Sequence, residues 1–107
     1  MSMLTGKQKR FLRGRANRLR PVATLGKNGL SDQFVDSVAK ALEARELVKV
    51  SLLPTAEETP AEVGAFLSRT IGGAQVAQTM GRTVLMYRKA TQEAHRKLSD
   101  KVAKLGK

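Results

Sequence analysis

Gly26-Lys27-Asn28-Gly29 constrains the path of this chain more tightly than any other stretch. Val22 to Leu25 precede it as a short apolar strand, and Ser31, a residue of N-cap type, opens a helix just after it. Two glycines around two polar residues therefore predict a strand-to-helix turn. Neither glycine puts a Cβ in the way, so a ligand can approach the backbone closely there. The helix that follows aims unpaired N–H groups and a partial positive charge at the same place. Lys27 adds a full charge. The arrangement suits a phosphate, while the plain alternative is a turn that needs glycines only for its geometry.

The pattern on either side extends this strand–helix unit into a fold. Thr5 is an N-cap candidate for a first helix of about fifteen residues ending at Pro21, by the usual start and stop signals. Leu4, Phe11, Leu12, Ala16 and Leu19 share one side of it, and Lys7, Lys9, Arg10, Arg13 and Arg20 share the other. Gly14 weakens that helix by about 1 kcal/mol relative to Ala. Phe34, Val35, Val38, Ala41 and Leu42 form the buried stripe of a second helix, with Asp36 and Lys40 paired on its outer face. Leu47 to Leu53 read as the second strand. Thr59-Pro60-Ala61-Glu62 combines a capping box with proline at the first helical position, and Gly72-Gly73 ends that third helix. Ala74–Thr79 and Thr83–Arg88 form a hairpin around Met80-Gly81-Arg82.

The fold class is therefore α/β: a single compact domain, a helix followed by strand-helix-strand-helix-strand-strand, with a four-stranded mixed sheet and packed helices. Residues 1–89 make the domain. Residues 90–107 read as a basic polar tail, at most partly helical, that adds charge rather than core.

Charge points to the partner. The net value is +11 with a pI near 10.8. Up to Leu30 there are eight basic residues and no acidic ones, whereas the remainder holds twelve basic and nine acidic. Such segregation marks a binding face for a polyanion rather than a device for solubility. With no cysteine, disulfides and thiolate metal sites are excluded. The N-terminus runs straight into charges and no apolar run approaches the ~18 residues of a membrane span. A cytoplasmic protein with no membrane partner is expected.

Leu4-Thr5-Gly6-Lys7-Gln8-Lys9-Arg10, Leu19-Arg20-Pro21-Val22, Leu25 through Leu30, Ala41 through Val50, and Gly72-Gly73 through Gly81 to Leu85-Met86-Tyr87-Arg88 form an ordered set. In that set the chain resembles the CRM domain family (chloroplast RNA splicing and ribosome maturation), in its stand-alone bacterial YhbY-type form. The resemblance covers about Leu4 to Arg88 and excludes the tail. It implies a fold similar to the C-terminal domain of bacterial translation initiation factor three. It also implies RNA binding, with bacterial members associated with precursors of the large ribosomal subunit. The family's GxxG loop falls on Gly26, Lys27, Asn28 and Gly29, and its basic helix on Lys7 to Arg20.

These readings combine into an RNA-binding protein that docks structured ribosomal RNA through the loop and the basic helix and assists large-subunit assembly. A general RNA-binding or RNA-chaperone module with non-ribosomal targets is the alternative. GxxG loops of KH domains clamp about four nucleotides of backbone. Arg10 and Arg13, one turn apart, suit successive phosphates. Arg15 falls on the apolar side and is expected to pack its stem. Phe11, Phe34 and Phe66 belong to buried stripes, which leaves Tyr87 as the one aromatic that could stack on a base. His95, in the tail, has no visible partner to orient it, and Ser, His and acid form no catalytic motif. No enzyme activity, cofactor, metal or small-molecule substrate is expected, and the high net charge favours a monomer.

Overall fold

The computed structural model describes residues 4–27 and 29–105. Its elements in chain order are α1 (Gly6–Ala16), β1 (Pro21–Leu25), α2 (Asp32–Arg45), β2 (Leu47–Leu52), α3 (Pro60–Thr70), β3 (Gln75–Met80), β4 (Thr83–Tyr87), a short 3-10 turn (Glu93–His95) and α4 (Lys97–Leu105). The four strands form one mixed sheet in the order β1-β2-β4-β3. β1 runs parallel to β2, and β4 is antiparallel to both β2 and β3. The expected order of elements and the mixed sheet are both present.

Alternation along the strands divides the core into two layers, because successive side chains of a strand point to opposite faces. On one face Val48, Val50, Leu52, Val84 and Met86 pack against Val38 and Leu42 of α2 and Val63 and Leu67 of α3. On the other face Leu47, Ala77, Leu85 and Tyr87 pack against Leu12 and Ala16 of α1 and Leu98 and Val102 of α4. All three expected capping residues hold their helices. Thr5 Oγ1 accepts from Gln8 N–H, Ser31 Oγ from Phe34 N–H, and Thr59 Oγ1 from Glu62 N–H. Gln8 and Glu62 complete capping boxes by accepting from the N–H groups of Thr5 and Thr59.

Two expectations are corrected. α1 ends at Ala16, four residues short of Arg20, because the N–H groups of Arg18 and Leu19 turn back onto the carbonyls of Arg15 and Ala16. Arg20 therefore lies on a connector and does not share the exposed face of α1. The C-terminal segment, read as a tail adding only charge, contributes to the core. Leu98 and Val102, one turn apart on α4, are buried in the second layer. Burying each is worth about 1.5–3 kcal/mol.

Glu46 holds that segment in place. It is fully buried and sits at φ 67°, in the left-handed region, where it caps α2 through its N–H to the Leu42 carbonyl. Its Oε2 accepts from Ala90 N–H at 2.8 Å and its Oε1 from Ser99 N–H at 2.9 Å. Its carbonyl accepts from Arg88 N–H. A left-handed backbone at a non-glycine costs about 1–2 kcal/mol, so these bonds must outweigh it. Glu43, one turn earlier, fastens the same segment from outside, accepting from Thr91 N–H, Thr91 O–H and Gln92 N–H. The backbone N–H and hydroxyl of Thr91 are the largest influences, and they lower the Glu43 pKa from 4.5 to about 2.

Glu46→Gln should destabilise the chain by about 1–3 kcal/mol, since one buried N–H then faces an amide NH2 rather than an acceptor. The shift in urea midpoint measures this. The Glu43 effect has its own signature. A lowered folded pKa adds stability that is present above the unfolded value of 4.5 and is lost as pH falls towards about 2. The stability advantage of the wild type over Glu43→Gln should therefore shrink steadily below the unfolded value, as followed by urea unfolding at stepped pH.

Candidate nucleic-acid interface

The glycine loop joins β1 to α2 at one end of the sheet. Gly29 N–H bonds the Gly26 carbonyl at 3.1 Å, and Ser31 N–H bonds the Gly29 carbonyl at 3.0 Å. Gly29 needs its glycine, since its φ is +68°. Gly26 permits a close approach instead: a Cβ there would stand 3.2 Å from Leu53 Cδ1. Lys27 is exposed, and Asn28 lies outside the described residues. The N–H groups of Gly29 and Ser31 are thus committed within the loop itself and are not donors for a ligand.

Beside the loop runs an open groove of about 520 Å³ between β1 and the first turns of α2, lined among others by Val22, Thr24, Lys27, Phe34, Ser37 and Leu53. Leu53 is the one exposed large hydrophobic residue among those described, at 47%. Two further charged residues come to this end of the sheet. Arg82, at the tip of the β3–β4 hairpin, donates from Nη2 to the Leu53 carbonyl and so brings a second cation to this end of the sheet. Glu58 places Oε2 3.4 Å from where a Gly29 Cβ would be, which puts an acid against the loop. Only the tertiary fold juxtaposes residues 29 positions apart in this way.

The basic helix lies elsewhere. Lys7, Lys9, Arg10, Arg13 and Arg15 are all exposed on α1, and none is in an ion pair with an acid among the described residues. α1 is anchored at its start by Leu4 N–H to Gln75 Oε1 and by Gln8 Nε2 to the Val102 carbonyl. Arg15, expected to pack its stem on the apolar side, holds its guanidinium 5.7 Å from the Phe11 ring centre, and the residue is exposed. Arg20 immediately precedes β1, whereas Gly26 immediately follows it. A five-residue strand therefore separates the loop from the end of the basic region, roughly 16 Å at 3.3 Å per residue. Thr24, Lys49, Ser51 and Thr83 form the polar sheet surface towards the loop end, since they alternate with the core residues of their strands.

Two further expectations change. Tyr87 is 6% exposed and packs in the second core layer, so it offers no face to a base. Burial, helped by the nearby Glu46 charge, raises its hydroxyl pKa from 10.0 to about 12. His95 does have an orienting partner: its Nδ1 lies 3.4 Å from Glu43 Oε2. That contact ties down the C-terminal segment and assembles no catalytic group.

A CRS1 / YhbY (CRM) domain model matches residues 4–88. The chain belongs to the CRM family. Among relatives of this CRM protein, the "Probable RNA-binding protein YqeI" of Bacillus subtilis is 44% identical over 90 residues, covering 84% of this chain and 93% of its own. An "RNA-binding protein" of Haemophilus influenzae is 39% identical over 88 residues, covering 82% and 88%. The solution structure of Staphylococcus aureus SAV1595 matches with a TM-score of 0.70 at 33% identity, over 85% of this chain and 94% of that one.

The acid at the CRM loop has a measurable consequence. A phosphate bound beside the loop would be repelled by Glu58, at a cost of about 0.6 kcal/mol for a separation of roughly 7 Å through solvent. Glu58→Gln should therefore tighten binding of a single-stranded RNA roughly threefold, measured by fluorescence anisotropy at low salt.

Proposed function

We propose that this CRM domain is a non-enzymatic RNA-binding protein that docks structured ribosomal RNA and assists assembly of the large ribosomal subunit. The observation that carries the reading is the row of exposed, acid-free cations on α1, joined by the polar sheet surface to Lys27 at the glycine loop. A single RNA segment spanning the length of β1 reaches from Lys27 to Arg20, where the basic N-terminal region ends. Relatives of the chain are named RNA-binding proteins, which supports the choice of polyanion.

The loop's contribution is access rather than a ring of amide donors. Gly26 lets the backbone lie close beside Leu53, Lys27 neutralises a phosphate, and the groove between β1 and α2 accepts part of a nucleotide. Arg10 and Arg13 supply bidentate phosphate contacts, and such contacts position an RNA without reading its sequence. Phe34 is the one aromatic residue in the lining of the loop's groove, so recognition rests mainly on the shape of a folded RNA. Backbone-led binding also fits a second reading, a general RNA-binding or RNA-chaperone module with other targets.

Crosslinking in cells followed by sequencing of the attached RNA separates the two. Reads concentrated at a few sites of large-subunit ribosomal RNA are expected. Reads scattered over messenger and small RNAs would overturn the ribosomal role and leave the general module. In vitro, neutralising about five phosphates should give a log-affinity against log-salt slope of roughly −3 to −5. Lys27→Asp should weaken binding, and unchanged affinity would remove the loop from the interface.

A further inference from the structure

At the end of the sheet opposite the glycine loop, α1, the end of α2 and the C-terminal segment enclose an open groove of about 530 Å³. Its lining includes Arg15, Arg18, Arg45, His95 and Lys97. Arg15 and Arg18 come from the end of α1 and its connector, Arg45 from the last turn of α2, and Lys97 from the start of α4. Ala94, His95, Lys97 and Leu98 belong to the segment beyond residue 88, where the family match ends.

We propose that residues 90–105 build a second RNA anchor here, in which Arg15, Arg18, Arg45 and Lys97 converge on a backbone phosphate at the foot of the sheet. The inference rests on the RNA reading above and adds a site that the segment beyond the family's matched region completes with Lys97.

The charge balance favours an anion strongly. None of the four cations is paired with an acid among the described residues. The two acids of the adjoining α2 end are already engaged, Glu43 by Thr91, Gln92 and His95, and Glu46 by Ala90 and Ser99. The C-terminus of α2 contributes about half a negative charge, which four full positive charges exceed severalfold. The glycine loop has a less favourable balance, with Lys27 and Arg82 set against Glu58. Three of the four cations are arginines, whose planar fork suits two phosphate oxygens at once.

The segment is also held firmly enough to present its cation. Arg96 donates from Nε to the Ala90 carbonyl at 2.8 Å and from Nη2 to the Thr91 carbonyl at 3.0 Å. Leu98, next to Lys97, is buried in the core. Lys97 therefore enters the groove from a fixed backbone. The volume lies within the range of small-ligand sites and is open on one side, as a sugar-phosphate chain passing through requires.

The test is RNA affinity as a function of salt, with an oligouridylate and an RNA stem-loop as probes, for the full chain carrying Arg18→Gln with Arg45→Gln, Lys97→Gln alone, or Lys27→Asp. Lys40→Gln is the control, since Lys40 is 78% exposed and paired with Asp36 on the outer face of α2. All substituted groove residues are exposed, and thermal melting checks that each variant folds. The groove variants should each lose about five- to tenfold in affinity and flatten the log–log slope by about one per phosphate contact removed. Groove variants that behave like Lys40→Gln would overturn the proposal. So would a loss of affinity at unchanged slope, since a phosphate contact must release counterions. A wild-type chain that binds neither RNA would overturn the RNA reading itself, and the groove with it, which is distinct from wild-type binding that the groove variants retain.

Discussion

Both faces of the sheet in this CRM domain carry large apolar side chains, and everything else follows from the need to cover them. Helices α2 and α3 cover one face by the ordinary logic of strand–helix crossovers. The other face, with Leu47, Leu85 and Tyr87, receives only α1 from the family's matched region. Glu46 supplies the rest of the cover by capturing Ala90 and Ser99 with its two carboxyl oxygens. A fully buried acid at a left-handed backbone position is unfavourable on two counts. It persists because one residue ends α2 through its N–H, receives the end of β4 through its carbonyl and seats α4 through its carboxylate. No buried side-chain nitrogen or oxygen among the described residues lacks a partner, so the arrangement leaves no unmet polar group to offset that gain.

The same closure distributes charge. The acids of the α2 end are used to hold the C-terminal segment, while Arg15, Arg18 and Arg45 remain exposed. Cations therefore accumulate at the foot of the sheet with the two acids of the α2 end already occupied. At the other end the β3–β4 hairpin and the segment before α3 bring one cation and one acid to the glycine loop together. A motif that looks strongly basic along the chain is thus electrostatically mixed in space. We therefore propose the loop as a point of close backbone approach, with affinity supplied from α1 and the foot of the sheet.

The element order, the three capped helix starts, the hairpin and both core stripes of α2 and α3 were legible in the sequence. These depend on neighbours within a few residues, where turn geometry, capping and side-chain period act directly. The loop's glycines were legible for the same reason, and Gly29 does adopt a positive φ. The α4 stripe was not, because a nine-residue helix with two buried apolar residues among many lysines gives a weak periodic signal. Tyr87 looked available for stacking because alternation identifies a face but not what covers it.

Up to residue 88, the sequence by itself determined which stretches become strands and helices and where each begins, and its positive charge pointed to a polyanion. Tertiary structure alone decided that Glu46 closes the second core layer, that Glu58 stands beside Gly29, and that Arg45 and Lys97 share a groove with Arg15. Those pairings join residues tens of positions apart, and no local preference encodes them. They arise when a two-faced sheet must be covered on both sides and the chain has one remaining segment with which to do it.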